Sequence, residues 1–286
     1  MNMHTAPLID IQHISYTYPG LSLGNSQTEP VPALRDASLQ VRQGEYLALL
    51  GHNGSGKSTL ARHCNALLLP DRGRVLVAGL DTSMKANRRP IRDSVGMIFQ
   101  NPDNQIIATV VEDDVAWSLT MRGFPAALIR ERVTEALAAV GISDLRQRPP
   151  NTLSGGQRQR VAIAGALALR PRCIIADEAT AQLDPLSRQE IVALLHQLNR
   201  AYGLTIMHVT HLLEETVEAD RIVIMQQGRV VLENTPAAIF SDLERLRQFR
   251  LIIPEPIALA ARLREIGFAI APDALTVEAI AQEILH

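Results

Sequence analysis

Cysteine is nearly absent, with two in 286 residues. Cys64 and Cys173 lie far apart in apolar sequence without C-x-x-C spacing, which favours buried reduced thiols over a disulfide or a metal site. Aromatic residues make up only 3% of the chain, leaving few platforms for base stacking. Neither sign of charge dominates: 28 basic against 30 acidic residues give a net charge of -2. That balance removes the electrostatic footprint of a nucleic-acid binder, so no nucleic-acid partner is expected. Long apolar runs are missing too. The longest stretch without a formal charge, Ile11 to Thr28, is too polar and too turn-rich to span a bilayer. The start, MNMHTAPLID, lacks the features of a secretory signal, which leads to the expectation of a cytoplasmic chain. What is present is 47% apolar and 20% charged residue content with mean hydropathy +0.05, the composition of a folded globular protein. The length allows one large domain or two modest ones.

Ile9 to Tyr18 reads as β-like, followed by a loop rich in Gly, Ser and Pro up to Pro32. Ala37, Leu39 and Val41 alternate with Ser38, Gln40 and Arg42, which predicts a half-buried strand in an antiparallel sheet. The run Tyr46 to Leu50 is continuously apolar, as in a strand buried on both faces, and a glycine-rich segment follows at once. Val75 to Val77, Val95 to Phe99, Cys173 to Ala176, Leu204 to Val209 and Arg221 to Met225 read as further strands. Their alternation with helical periodicity predicts an α/β sheet. Asp184 as N-cap and Pro185 at the first position open a helix that buries Ile191, Leu194, Leu195 and Leu198 and stops near Gly203. About seventy residues between Phe99 and Cys173 carry no convincing strand and read as a helical insert, including a helix from about Pro125 to Val140 closed by Gly141. From about residue 241 the character changes again. Stripes of Leu259, Leu263 and Ile266, then of Val277, Ile280, Ala281 and Ile284, predict a small helical appendage.

Gly51, His52, Asn53, Gly54, Ser55, Gly56, Lys57 and Ser58 fit G-x-x-x-x-G-K-[ST], between a buried strand and a helix. Such a loop turns backbone N–H groups inward around phosphate oxygens. Lys57 then neutralises the β- and γ-phosphates, the Ser58 hydroxyl is free to ligate Mg²⁺, and Thr59 continues the cradle. A nucleotide with Mg²⁺ is the ligand this pattern calls for. Residues 173–178 form an apolar strand ending in Asp177 and Glu178 at a sheet edge where ligands of open α/β sheets bind. Asp177 is placed to hold Mg²⁺ and Glu178 to orient or deprotonate the attacking water. Leu153, Ser154, Gly155, Gly156 and Gln157 precede a helix from Arg158 to Leu169 with Ser154 as its N-cap, between these two elements in the chain.

With these segments in this order, the chain through about residue 240 resembles the nucleotide-binding subunit of an ABC transporter. The resemblance implies a P-loop NTPase fold: a RecA-like α/β core, an antiparallel β-subdomain and an inserted helical subdomain at about 101–170, all within residues 1–240. Residues 241–286 would form a small C-terminal helical domain. It further implies a head-to-tail dimer with two sandwiched ATP molecules. Lys57, Ser58, Asp177 and Glu178 would act in cis, while Ser154, Gly155, Gly156 and Gln157 would meet the nucleotide held by the other subunit. Gln100 resembles the Q-loop glutamine that reaches Mg²⁺ and the lytic water, and residues 181–184 match the D-loop, giving Asp184 a contact across the dimer besides its capping role. His211 resembles the switch histidine that contacts the γ-phosphate, His208 reads as an ordinary strand residue, and Tyr18 resembles the aromatic that stacks on adenine.

Residues 95–105 and 111–116 are most similar to the ATPases of energy-coupling factor importers, which take up vitamins and transition-metal ions. Residues 177–180 and the short C-terminal domain resemble the first of the two paralogous ATPases in those complexes. The implied partners are a second ATPase subunit, either a paralogue or a second copy of this chain, a transmembrane scaffold and a separate substrate-binding membrane subunit, with the chain peripheral on the cytoplasmic face of the membrane. Ala176, Gln182 and Asn234 depart from the family pattern, Gln182 within the D-loop. Arg88, Arg89 and Arg92 form a basic run that reads as solvated surface. The alternative is a soluble ABC-type ATPase acting on ribosomes or DNA, disfavoured by the charge, the single cassette and the lack of extended heptads. A nucleotide kinase would leave residues 153–157 idle.

Overall fold

The computed structural model describes residues 6–20, 22–23, 26–27, 29–249 and 251–285. Residues 1–5, on which part of the signal-peptide expectation rests, lie outside the described residues, as do 21, 24, 25 and 28 of the expected loop.

β1 (Ile9–Tyr18) is followed by a two-residue pair, β2 (Ser22–Leu23) and β3 (Ser26–Gln27), and by β4 (Val31–Val41). β4 begins inside the expected loop, where Tyr18 faces Val31 and Thr17 faces Pro32. Proline is tolerated there because β4 is an edge strand of its sheet. Next come β5 (Tyr46–Leu50), α1 (Lys57–Cys64), β6 (Arg72–Val77) and β7 (Leu80–Asp81). β4-β1-β6-β7 form an antiparallel sheet.

α2 (Arg88–Ser94) leads into β8 (Val95–Ile98), and three helices then run without an intervening strand: α3 (Val111–Met121), α4 (Ala126–Ala139) and α5 (Gly155–Leu167). Gly141 lies just past α4 at φ +71°, a conformation glycine adopts without strain. β9 (Cys173–Asp177), α6 (Pro185–Tyr202), β10 (Thr205–Thr210), β11 (Arg221–Gln226) and β12 (Arg229–Asn234) complete the core. The larger sheet has the order β12-β11-β5-β10-β9-β8, parallel throughout except for β12. β12 carries half-exposed residues, so it lacks the apolar run that marks its neighbours.

Period-2 geometry explains why β5 is apolar at every position. Tyr46, Ala48 and Leu50 point into a core shared with α3 to α6, while Leu47 and Leu49 enter a second core with α1 and the antiparallel sheet. Each fully buried leucine contributes about 2–3 kcal/mol. On β9, Ile174 and Ala176 face the first core and Cys173 and Ile175 the second. Both cysteines are fully buried free thiols.

α6 matches its expected bounds. The Asp184 carboxylate accepts from the N–H groups of Leu186 and Ser187 at 3.1 and 3.0 Å, and Gly203 ends the helix at φ +62°.

After α7 (Pro236–Phe240) and α8 (Leu243–Gln248) come α9 (Glu255–Glu265) and α10 (Val277–Leu285). The expected apolar stripes of α9 and α10 are buried only in part. α9 buries Ile257 and Ala260, and of the expected stripe Leu263 packs against the local core, whereas Leu259 and Ile266 are 49% and 60% exposed. α10 buries Ile280 and leaves Val277 and Ile284 exposed. The local core has only Ala260, Ile270, Ala274 and Ile280 as buried members, and so small a core covers a narrower stripe than the helical pattern offers.

Candidate nucleotide-binding site

The loop from Gly51 to Gly56 joins the buried end of β5 to the first turn of α1, so the N-terminus of α1 faces the loop's concave side. Two glycines are required by close backbone approach. A Cβ on Gly51 would lie 2.4 Å from the Met225 carbonyl oxygen, and one on Gly56, at φ +102°, would lie 2.6 Å from that of Ala33. Gly54 also has positive φ, with open space around it, while Asn53 is exposed on the loop's outside. Ser55 is buried, its carbonyl accepts from Gly228 N–H at 2.9 Å, and its Oγ has no partner among the described residues. A glycine-rich turn at the N-terminus of α1 with a spare buried hydroxyl is a cradle that fits an anion.

Lys57 is 3% exposed, and its ammonium donates to the carbonyls of Gly51 at 2.8 Å and His52 at 3.3 Å. It also stands 3.5 Å from Glu178 Oε1. Burial pulls its pKa down, and the Glu178 carboxylate opposes that shift. Ser58 Oγ donates to Asp177 Oδ1 at 2.7 Å. Burial pushes the Asp177 carboxyl up, against the pull of the Ser58 hydroxyl. Among the described residues there is no cluster of three or more His, Cys, Asp or Glu able to cage a metal. A hydroxyl beside a carboxylate is instead the donor set of Mg²⁺, which binds through few protein oxygens and completes its shell with phosphate and water.

Glu178 follows β9 at φ +51°, held there by its N–H, which donates to Val209 O at 2.9 Å. For a non-glycine residue this left-handed conformation costs energy, and here it aims the carboxylate between two cations or donors. Lys57 lies on one side, and His211 Nδ1 lies 3.8 Å from Oε2 on the other. Residues from the ends of β5, β9 and β10 thus meet at the carboxyl edge of the parallel sheet, where open α/β sheets bind ligands.

Tyr18 reaches this edge from β1. Its hydroxyl lies 3.2 Å from Thr59 Oγ1, and its ring meets Tyr16 edge-on at 5.0 Å. Gln100 is exposed two residues beyond β8. The start of its loop is fixed by Gln105, whose amide donates to Met97 O at 3.1 Å and accepts from Phe99 N–H at 3.2 Å. Nothing in the spacing announced that role for Gln105.

Residues 154–157 stand apart from this cluster. Ser154 and Gln157 form a reciprocal cap: Ser154 N–H donates to Gln157 Oε1 at 2.9 Å, and Gln157 N–H to Ser154 Oγ at 3.3 Å. A Cβ on Gly155 would sit 3.2 Å from Leu183 Cδ2, and one on Gly156 3.1 Å from the Ser187 side chain. The helix start therefore lies against the segment that contains exposed Asp184. Among the described residues no hydrogen bond or ion pair joins 154–157 to the loop at 51–58. Of the three departures from the family pattern, Ala176 is buried in the first core, Gln182 is exposed, and Asn234 Oδ1 accepts from Thr235 N–H at 2.9 Å.

A buried polar cluster that no spacing in the sequence marks joins the segments at the ends of β9 and β10. His208 is a residue of β10, as expected, and it is fully buried, with Nδ1 3.0 Å from the Tyr46 hydroxyl and Nε2 3.4 Å from Glu215 Oε2. Glu215 also receives the hydroxyls of Thr180 and Thr210.

A family profile described as ABC transporter matches residues 34–181. The chain is 51% identical over 280 residues to the energy-coupling factor transporter ATP-binding protein EcfA1 of Symbiobacterium thermophilum, covering 98% of this chain and 97% of that protein. Its counterpart in Caldanaerobacter subterraneus is 46% identical over 277 residues, 97% and 98% of the two chains. The structure of cbiO1 from Clostridium perfringens, part of the ABC transporter complex cbiONQ, superposes with a TM-score of 0.75 at 34% identity, covering 89% of this chain and 99% of that one. The ATP-binding cassette MJ0796, a dimer in a post-hydrolysis state bound to ADP and Pi, gives 0.69 at 31% identity, covering 80% and 98%. The fold, the phosphate-binding loop and these relatives agree: the chain is an ATPase of the ABC transporter family and belongs to its energy-coupling factor transporter ATP-binding proteins.

Proposed function

We propose that the chain drives an energy-coupling factor importer for vitamins or transition-metal ions by binding and hydrolysing ATP between two ATPase subunits. The observation that carries this reading is the convergence of Lys57, Glu178 and His211 within 3.5 and 3.8 Å, beside the Ser58–Asp177 pair. Residues 51–59 cradle the phosphates, Lys57 neutralises them, and Tyr18 stacks on adenine. Ser58, Asp177 and Gln100 hold Mg²⁺, which when bound offsets phosphate charge. Binding of the γ-phosphate draws the Lys57 ammonium onto its oxygens and releases the Glu178 carboxylate toward the water. Glu178 takes the proton of that water as it attacks the γ-phosphorus, the bond to the bridging oxygen breaks with ADP as the leaving group, and His211 donates to the oxygens of the departing phosphate. Residues 154–157 and Asp184 complete the site of the other subunit, with the N-terminus of α5 aimed at its γ-phosphate.

Closure of the dimer moves the helical region of about 101–170, and a transmembrane scaffold docks there. Supporting that, Ile107, Trp117 and Met121 are 60%, 48% and 67% exposed. Trp117 and Ile107 line a groove of about 260 Å³ beside Gln105. No helix of the described residues is long and apolar enough to cross a membrane, so the channel itself comes from other chains. In this reading residues 1–240 are the ATP-binding domain and 241–286 a C-terminal helical domain. The chain sits peripherally on the cytoplasmic face, with a paralogous second ATPase beside it and a separate solute-binding membrane subunit in the complex.

Affinity purification from detergent-solubilised host membranes, followed by mass spectrometry, tests the assembly. A multispan scaffold, a second ATPase and a small membrane protein are the expected companions. Ribosomal or DNA-bound proteins in their place would leave the ATPase chemistry and overturn transport.

A further inference from the structure

Glu215 lies in a short 3-10 turn, Leu213–Thr216, four residues beyond His211, with its side chain 2% exposed. A carboxylate so buried must be satisfied or it destabilises the fold. Both of its oxygens are satisfied by chain segments that belong to the reaction. Oε1 accepts from Thr180 Oγ1 at 2.6 Å, two residues beyond Glu178. Oε2 accepts from Thr210 Oγ1 at 2.5 Å, immediately before His211. The same Thr210 oxygen accepts from Leu212 N–H at 3.1 Å, so this one hydroxyl brackets His211 from both sides.

Two further groups converge. His208 Nε2 is 3.4 Å from Oε2, and Arg188 Nε is 3.9 Å from Oε1. Arg188 in turn donates to the Leu183 carbonyl at 3.4 Å, in the segment that carries Asp184. Burial by itself would raise the carboxyl, but His208 and the two hydroxyls hold it down to about 2, so the group is ionised at working pH.

We propose that Glu215 is a positioning residue for ATP hydrolysis, clamping the segments that carry Glu178, His211 and Asp184 into one register through Thr180, Thr210 and Arg188. The proposal rests on the reading of Glu178 as the base and His211 as the γ-phosphate contact. Glu215 itself touches no reacting atom. It fixes the distance across which Glu178 and His211 face one another, and it transmits movement of one segment to the other two. Thr180 and Thr210 are the links, because each is 2% exposed and spends its hydroxyl proton on Glu215.

Steady-state ATPase kinetics of the purified complex test it, using Glu215→Gln, Thr210→Val, Thr210→Ser and the double variant Thr210→Val/Glu215→Gln. The amide of Glu215→Gln can accept from only one of the two hydroxyls. We expect kcat to fall about tenfold or more while KM for ATP stays within about threefold, as for a defect in alignment and not in binding. Thr210→Val should reproduce part of that loss and Thr210→Ser should restore it, since only the hydroxyl link matters. The double variant should be no slower than Glu215→Gln alone, because both changes cut the same link.

Thermal melting guards against a folding defect. If Glu215→Gln does not fold, the near-isosteric Thr210→Val and its serine rescue carry the test. Turnover of Glu215→Gln and Thr210→Val within about twofold of wild type would overturn the proposal, as would losses that multiply in the double variant. Glu178→Gln run alongside separates the two readings: full turnover there refutes Glu178 as base, whatever Glu215 does.

Discussion

Ser154 is asked to do two things, and substitution separates them. Its Oγ caps α5 by accepting from Gln157 N–H at a long 3.3 Å, and in the dimer it is proposed to meet the γ-phosphate of the other subunit. Ser154→Ala removes one exposed cap, which costs about 0.5–1 kcal/mol. For a chain of this size that lowers Tm by about 2 °C. Ser154→Asp keeps an equal or better cap, since a carboxylate also complements the helix N-terminus. Its charge, however, would stand against the incoming phosphate, a repulsion of several kcal/mol in a closed interface. Melting curves should therefore rank aspartate at or above serine and above alanine. ATP turnover should rank serine far above alanine, with aspartate lowest and at least about a hundredfold down. The assay is steady-state phosphate release beside differential scanning fluorimetry without nucleotide. Turnover of the aspartate variant within about threefold of wild type would refute the contact and leave Ser154 as a helix cap alone.

Two other outcomes follow from burial. Because burial raises the Asp177 carboxyl, its ionisation costs stability: the protonated form is favoured in the fold, and that advantage is lost as pH rises through the folded-state pKa. Asp177→Asn should thus melt higher than wild type near neutrality, with the difference vanishing below about pH 4, while ATPase activity is lost; a lower melting point at pH 7 would contradict this. The thiols of Cys64 and Cys173 are wholly buried, and burial raises both, that of Cys64 to about 12. Iodoacetamide should label neither in the native protein and both after denaturation, as read by intact mass; native labelling would show that the second core opens.

The elements that were legible in the sequence are those where one local rule decides. Asp184 and Pro185 open α6 and Gly203 closes it, because capping is a matter of neighbouring residues. The run Tyr46 to Leu50 showed a strand with apolar partners on both faces, and the loop after it showed an anion cradle by its glycines. What stayed hidden depends on distant contacts. Glu215 stands among Glu214, Glu218 and Asp220 in the sequence and reads as solvated charge, yet Thr180 and Thr210 arrive from two other strand ends to bury it. Gln105 bonds back across a loop to β8, which no period announces. β12 was missed since its residues are half-exposed, and the stripes of α9 and α10 were drawn too wide because a four-member core covers little of each. The start of β4 at Val31 was obscured by Pro32, which only an edge position tolerates.

In the proposed mechanism Glu178 is the group that activates water across a closed pair of subunits. Glu178→Gln keeps the side chain's size and its place between Lys57 and His211 but cannot take a proton. Measured on one preparation, ATP affinity, ATP-dependent dimerisation by size-exclusion chromatography and phosphate release give the decisive comparison. We expect affinity retained, a closed dimer that accumulates with ATP, and turnover lowered by at least about a hundredfold. Turnover equal to that of the wild-type protein, with no accumulation of dimer, would contradict the account.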